Sequence, residues 1–348
     1  MFRLRLRHHE LSHVAILAAL VALGPFAALA ACGSSGSSPA DAGSPDSQFT
    51  SPDDAAAEAE PSLDAGSETE GDSARDAPTE SGPVVCGTER VRVVAGNLSG
   101  AASTYDDERG IRIFRGLRPD VALVQEVRYG DNSAAAQRAF VDAAFGASYA
   151  FVRGSLGGGA DIPNAVVSRF PILDSGEWVD PYVSNRTFVW ARIDVPGTAD
   201  LYAVSVHLLT TNFGDRAGEA QSLVGRLQAL PAGSLVVLGG DLNTSTRTES
   251  AVTTLGQVFA TAGPYPVDQA GNQNTNTPRA RPYDWVLATS ALDTCQIPVT
   301  VGATPFSSGL VFDSRVFTPL TDVPPVQLSD SDTPLQHMAV VREFVLPL

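Results

Sequence analysis

The chain contains no lysine: all 23 of its basic residues are arginine, against 39 acidic residues, for a formal net charge of −16. It also lacks a polybasic run or basic stripe. A protein that gripped nucleic acid chiefly through its own cations would need one, so any phosphate chemistry here must handle charge locally. Cysteine is scarce, with only Cys32, Cys86 and Cys295, and none at the spacing of a metal site. There is no G-x-S-x-G, no thiol nucleophile with a partner, no Walker loop and no H-E-x-x-H, which removes the commonest acyl-transfer, nucleotide-binding and zinc-peptidase readings. Aromatic residues make up 7%, with no aromatic-plus-basic surface for stacking single strands.

What is present divides into three regions. Arg3, Arg5 and Arg7 precede an apolar run over 14–31, broken by Gly24-Pro25 and ending Leu29-Ala30-Ala31-Cys32. This is the layout of a secretion signal, and the small residues before a cysteine resemble the bacterial lipobox. Residues 1–31 therefore read as a lipoprotein signal peptide, cut before Cys32, which receives lipid. A plain signal peptide and an uncleaved membrane anchor are the alternatives. Gly33 rather than Asp follows Cys32, which under the enterobacterial sorting pattern sends the product to the outer membrane, at its periplasmic face or the cell surface. Residues 32–85 are Ser, Ala, Asp, Pro, Gly and Glu with almost nothing apolar to bury. They carry −11 of the −16 net charge and read as a disordered, self-repelling tether. Residues 86–348 are long enough for one large domain, expected to be monomeric. With Cys32 lipidated, Cys86 and Cys295 remain as a pair in an oxidising compartment, expected as a disulfide, with two buried free thiols as the alternative.

Within the domain the pattern is many short strands with a few helices between. Strands are expected at 91–95, 121–125, 148–153, 164–168, 186–193, 201–206, 235–239, 284–288 and 338–344. Helices are expected at 107–118, 133–144 and 215–229, the last with Ala220, Leu223, Val224 and Leu227 on one face. Several strands are continuously apolar, so helices should cover the sheet. The combination reads as α/β with two packed sheets.

A recurring feature carries the chemistry. Leu235-Val-Val-Leu-Gly-Gly-Asp-Leu-Asn243 is an apolar strand that turns at two glycines and ends in Asp241 and Asn243. Taken alone, this is also how an ordinary Asx turn leaves a strand. But the strand from Val91 ends in Asn97, that from Val121 in Glu126, and that from Leu201 in His207. The strand at 284–288 begins with Asp284, and the last one follows Gln336-His337. Six such groups where apolar strands meet loops suggest one rim lined with ligands and proton carriers. Carboxylate and amide oxygens without thiolates suit a hard cation, Mg²⁺, Mn²⁺ or Ca²⁺. Phosphate-ester hydrolysis needs such parts: a cation, a base for water and donors for developing charge.

These segments, in this order, resemble the endonuclease/exonuclease/phosphatase superfamily, which includes deoxyribonuclease I, apurinic endonucleases, inositol polyphosphate phosphatases and bacterial sphingomyelinases. Val94-Ala-Gly-Asn97 resembles its first motif, Leu123-Val-Gln-Glu126 its L-Q-E, and Ala165-Val-Val-Ser-Arg-Phe-Pro-Ile172 its S-R-[FY]-P-I segment. Val206-His207-Leu208 is similar to V-H-L, Gly240-Asp-Leu-Asn243 to G-D-x-N, and Arg281-Pro-Tyr-Asp284-Trp to R-x-D-[YW]. The resemblance covers essentially all of 91–348. It implies a four-layer sandwich of two packed mixed β-sheets flanked by helices, and a divalent-cation-dependent phosphoesterase, a phosphodiesterase or nuclease. Extracellular nucleic acid, phospholipid headgroups and soluble phosphates stay open as substrates. Glu126 is implied as the metal ligand with Asn97 nearby. Asp241 is implied to orient or deprotonate water beside Asn243, and His207 and His337 to donate to the phosphate, with Asp284 holding His337. Gln336 stands where the family has Asp as a metal or metal-water ligand. It can still coordinate but brings no charge; Asp330 or Asp332 could compensate. The same departure supports an alternative: a surface binding protein that kept the fold and lost catalysis. Arg169 is expected to hold the loop after its strand, Arg281 to do this or touch substrate. The segment 289–335 is expected as an inserted hairpin on the core or a specificity loop, and the Gly-rich 154–160 as a substrate contact or a flexible connection.

Overall fold

Val91, Val93, Val94 and Ala95 leave no polar face, and the strand they form is buried on both sides. The computed structural model describes residues 83–155 and 161–348. The expected signal segment, Cys32, the tether as far as residue 82 and 156–160 of the Gly-rich loop lie outside the described residues.

The chain runs β1 (Cys86–Gly96), α1 (Arg109–Leu117), β2 (Val121–Val124), α2 (Ala134–Ala144), β3 (Ala150–Arg153), β4 (Ala165–Ser168), β5 (Ile172–Val179), β6 (Thr187–Ile193), β7 (Leu201–His207), α3 (Phe213–Gln228), β8 (Leu235–Asp241), α4 (Ser250–Leu255) and β9 (Asp284–Ala288). It ends with α5 (Ser290–Thr294), β10 (Gln296–Ile297), β11 (Val299–Val301), β12 (Thr304–Phe306), β13 (Leu310–Phe312) and β14 (Ala339–Pro347). The first sheet has the order β10-β14-β1-β2-β4-β3, with β13 also on β14; the second has β5-β6-β7-β8-β9. Each is mixed. β1 and β2 run parallel in the first, β7 and β8 in the second, and their other pairings are antiparallel.

Three apolar clusters set the layers. Val93, Ala95 and Leu123 of the first sheet pack against Ala191, Ala203 and Val237 of the second. The outer face of the first sheet meets Ile113 and Phe114 of α1 and Phe140 of α2. That of the second meets Leu223 and Leu227 of α3 and Leu255 of α4. The result is a four-layer sandwich, helix–sheet–sheet–helix, as the continuously apolar strands require. α3 starts at Asn212, whose side chain accepts from the Gly214 and Asp215 backbone N–H groups, a regular N-cap.

The nine expected strands and three expected helices are all present, with ends moved by a few residues. The segment 289–335 packs on the core: β11 and β12 form a hairpin, β13 joins the first sheet, and Phe306, Leu310, Phe312 and Phe317 are buried in the first cluster. Cys86 and Cys295 form a disulfide across a sequence separation of 209. Arg169 pairs with Asp120 (2.7 Å) and holds the loop after β4. No described helix is long and apolar enough to cross a membrane.

Candidate functional site

The two parallel pairs each end at the same rim, and loops at the carboxyl ends of parallel strands are where open sheets present ligand groups. β1 runs out at Asn97 and β2 at Glu126. β7 ends in His207 and β8 in Asp241. The registers align three of these residues: His207 is opposite Asp241 and Asp241 opposite Asp284, one row across β7, β8 and β9. His337 is brought beside the row by its bridge to Asn276. Gly240 makes the approach possible. Its φ is +133°, and a β-carbon there would strike Val206 O and the Gln125 side chain. Glu126 and Asn243 are themselves held at φ 53° and 51°. This region is tolerable for Asn but unusual for Glu, and such strain gathers at functional positions.

Asp241 is the hub. Its Oδ2 lies 3.3 Å from His207 Nε2 and 3.5 Å from His337 Nε2, and takes a hydrogen bond of 3.5 Å from Asn97 Nδ2. Its Oδ1 accepts from Asn243 N at 2.9 Å. Burial raises its pKa, and although His337 pulls the other way it stands at about 7. His337 Nδ1 meets Asp284 Oδ2 at 2.8 Å. Burial alone would lower the His337 pKa, but the charges of Asp284 and then Asp241 outweigh it and raise it to about 9. His337 is therefore an imidazolium at neutral pH. His207 is the opposite: burial, then Arg186 and His337, hold its pKa well below the ordinary value. It is neutral, so it can donate one N–H but brings no charge. Two histidines on one carboxylate are thus set in different protonation states by their surroundings.

On the other sheet, Ser99 donates 2.6 Å to Glu126 Oε2 and also lies 3.0 Å from Asn97 Oδ1. This ties the end of β1 to the end of β2. Glu126 Oε1 lies 3.9 Å from His207 Nδ1, an atom buried without a hydrogen-bond partner. Asp284 Oδ1 accepts from Asn97 N at 3.1 Å, so Asp284 links the two sheets.

Asn97, Glu126, His207, Asp241, Asn243, Asp284 and His337 are therefore one constellation. Gln336 is exposed, and its backbone carbonyl accepts from Thr277 N. Neither upstream carboxylate compensates for it. Asp330 is fully buried in a fork to Arg112 Nε and Nη2 (3.1 and 2.7 Å), fixing α1 to the last loop, and Asp332 is exposed. Arg281 is exposed, its carbonyl holding Thr275 N and Asn276 N. Asn243 donates its amide to Leu208 O at 2.9 Å, so it fixes the loop after His207.

Sequence patterns did not single out the residues that hold this loop. Buried Arg186 donates to His207 O and Leu208 O at 2.6 and 3.1 Å. Glu219 of α3, fully buried, accepts from Leu209 N through both oxygens, at 3.0 and 2.9 Å. Burial, then a hydrogen bond with Asp180, pushes the Glu219 pKa up to about 8. Asp180 Oδ2 is buried without a hydrogen-bond partner, and a protonated Glu219 is the group that would donate to it. A charged residue on the apolar face of α3, one place before Ala220, was the available signal.

The donor set can be tested for a cation. One oxygen of Asp241, one of Asp284 and a nitrogen of His337 lie within 4.8 Å of one another and could hold an ion, but all three are buried and His337 Nδ1 is already engaged by Asp284 at 2.8 Å. Glu126 is the better seat. Its side chain is the most open of the three carboxylates, 13% exposed against 2% for Asp241 and 0% for Asp284. Asn97 is tied to it through Ser99, and the orphaned His207 nitrogen stands beside it. These oxygens fit a hard divalent ion.

Comparison with known proteins agrees with this architecture. Residues 96–329 match the sequence profile of the Endonuclease/Exonuclease/phosphatase family. No curated protein matches the chain. Among solved structures, the endonuclease/exonuclease/phosphatase from Beutenbergia cavernae DSM 12333 superposes with a TM-score of 0.51 at 20% identity, covering 74% of this chain and 72% of that one. The endonuclease/exonuclease/phosphatase from Bacteroides vulgatus gives 0.52 at 16%, covering 74% and 99%. A conserved protein of unknown function from Enterococcus faecalis V583 gives 0.52 at 12%, covering 72% and 98%. At these identities the structures speak for the fold alone, whereas the profile spans most of the domain that carries the row of Asp241, Asp284 and the two histidines: the chain belongs to the endonuclease/exonuclease/phosphatase family.

Proposed function

We propose that the chain is an exported, divalent-cation-dependent phosphoesterase, a phosphodiesterase or nuclease, that hydrolyses P–O bonds by attack of an activated water. The supporting observation is Asp241, a buried carboxylate at about 7, placed between a neutral and a charged imidazole. A base poised near neutrality suits proton removal from water. Asp241 accepts the water proton as the oxygen attacks phosphorus and the ester P–O bond breaks; the leaving oxygen then takes a proton from Asp241 or solvent, which restores the carboxylate. The His337 imidazolium, oriented by Asp284, donates to a phosphoryl oxygen as negative charge builds. Neutral His207 offers a second N–H without adding charge. Asn243, Arg186 and Glu219 fix the His207 loop. Glu126 and Asn97, with Gln336 as a third and uncharged ligand, would hold Mg²⁺, Mn²⁺ or Ca²⁺, which when bound neutralises phosphoryl charge.

Export rests on the sequence: a signal at 1–31, a lipidated Cys32 and an acidic tether to residue 85, placing a monomeric domain at the outer membrane with extracellular nucleic acid or another phosphoester as substrate. The disulfide is in keeping with an oxidising compartment. Cys32→Ser should move the protein from the membrane to the soluble fraction.

The test of the activity uses the purified full chain with single- and double-stranded DNA, RNA, sphingomyelin and a generic phosphodiester, under Mg²⁺, Mn²⁺, Ca²⁺ or chelator. Cation-dependent turnover that falls roughly 10²- to 10⁴-fold in His337→Ala supports the reading. No turnover on any substrate, with no cation binding, favours the binding-protein reading and Gln336 as its cause.

A further inference from the structure

A cavity of about 260 Å³ opens at the edge of the second sheet, between β9, the 260–266 segment and β14. It is separate from the catalytic row. Thr275 and Asp284 contribute to a shared wall, but the Asp284 side chain has no exposed surface.

Arg247 stands in this wall. Its guanidinium carbon lies 4.1 Å from the centre of the Tyr265 ring and 4.8 Å from Trp285, and the two rings meet edge to face at 5.9 Å. This platform fixes the guanidinium, yet among the described residues only one of its five N–H donors finds a protein acceptor, Gln273 O at 2.5 Å. Among the described residues no carboxylate pairs with it. Other withdrawn arginines are compensated: Arg216 by Glu249, Arg279 by Asp268 and Asp313, and Arg342, in the same cavity, by Asp293. Arg186 has no ion pair but donates to three protein oxygens. Arg247 pays the desolvation cost alone; burial pushes its pKa down to about 10. A half-buried cation, held by two rings with free donors at the wall of a cavity, is suited to donating a charge-assisted hydrogen bond to an anion. Elsewhere the wall offers the hydroxyls of Thr261 and Ser308 and apolar surface from Pro266, Val311 and Val340. The volume is at the small end for ligand sites, which excludes a polymer.

We propose that this cavity binds a small organic oxyanion, a phosphate or carboxylate head on Arg247 and a compact apolar body against Pro266, Val311 and Val340. The site does not depend on the catalytic reading, and its test reads binding alone. Trp285 reports from the wall, while the other two tryptophans, Trp178 and Trp190, stack on each other in β5 and β6. The full chain, free of divalent cation, is titrated with inorganic phosphate, phenyl phosphate and benzoate while indole fluorescence is followed. Saturable quenching by phenyl phosphate or benzoate is expected, tighter than by inorganic phosphate; the better of the two names the head group. Arg247→Met should weaken it at least about tenfold, which is about 1.4 kcal/mol. Arg247→Lys, which keeps the charge, should restore part of it, and His337→Ala should bind as the parent does. The proposal is overturned by a change that never saturates up to ~10 mM, by equal affinity in Arg247→Met, or by loss in His337→Ala, which would place the probe in the catalytic row.

Discussion

Replacing Glu219 by glutamine should leave the protein as stable as the parent at pH 5 and more stable at pH 9. In the folded chain the Glu219 proton is held up to about pH 8, because the carboxyl is fully buried and faces Asp180. In the unfolded chain it leaves at the ordinary value of 4.5. The folded-state pKa is raised, so its contribution is fully present below pH 4.5 and is lost as pH climbs through 8. Each pKa unit corresponds to about 1.4 kcal/mol, so the parent loses on the order of 3–5 kcal/mol across that window. Glutamine imitates the protonated acid: its carbonyl accepts from Leu209 N and its amide donates to Asp180, at every pH. The assay is denaturant unfolding from pH 5 to 9, comparing midpoints at equal slope. The difference between the two proteins should open with rising pH. Parallel curves would refute the account of a Glu219 kept protonated by burial.

Asp284→Asn removes the charge that raises His337 to about 9. The alkaline limb of the activity profile should then move down by roughly two pH units or more, and an unmoved limb would separate His337 charge from catalysis. Removing the disulfide with Cys86→Ser and Cys295→Ser releases a loop of 209 residues. Chain entropy assigns this about 5 kcal/mol, so the melting temperature should fall by ~10 °C or more, and an equal melting point would mean the sheet edges close without it. Gln336→Asp tests whether the exposed residue 336 serves the cation as proposed. It should lower the cation concentration for half-maximal activity several-fold, whereas an unchanged value puts residue 336 outside the metal's reach.

Apolar strands made most of the fold legible. β2, β8 and the second half of β1 are buried on both faces, so their apolar runs marked strands and their polar ends marked the rim. β5 was not legible: it is an edge strand with three successive exposed residues, Leu173, Asp174 and Ser175, before a short alternation of half-buried Gly176 and Trp178 with exposed Glu177 and Val179, a pattern common to surface loops. α4 and α5, of six and five residues, are too short for helical periodicity to register. Glu126 and His337 were legible because chemistry and motif coincide. Ser99, Arg186 and Glu219 were not, since each acts through a partner distant in sequence or through the backbone, and no local spacing encodes that. The expected compensation by Asp330 failed for the same reason: its partner Arg112 is 218 residues away.

If the proposed function holds, the transverse row of His207, Asp241 and Asp284 makes catalysis a gauge of strand alignment. Side chains alternate along a strand, so a slip of one residue between β7 and β8, or between β8 and β9, would turn one member to the helix side. Recovered turnover during refolding therefore counts only chains whose three strands have paired in step. Chains that are compact but misaligned stay silent in that assay while still contributing to circular dichroism. The lag between the two signals would time the in-step pairing of β7, β8 and β9 together with the arrival of His337 beside them.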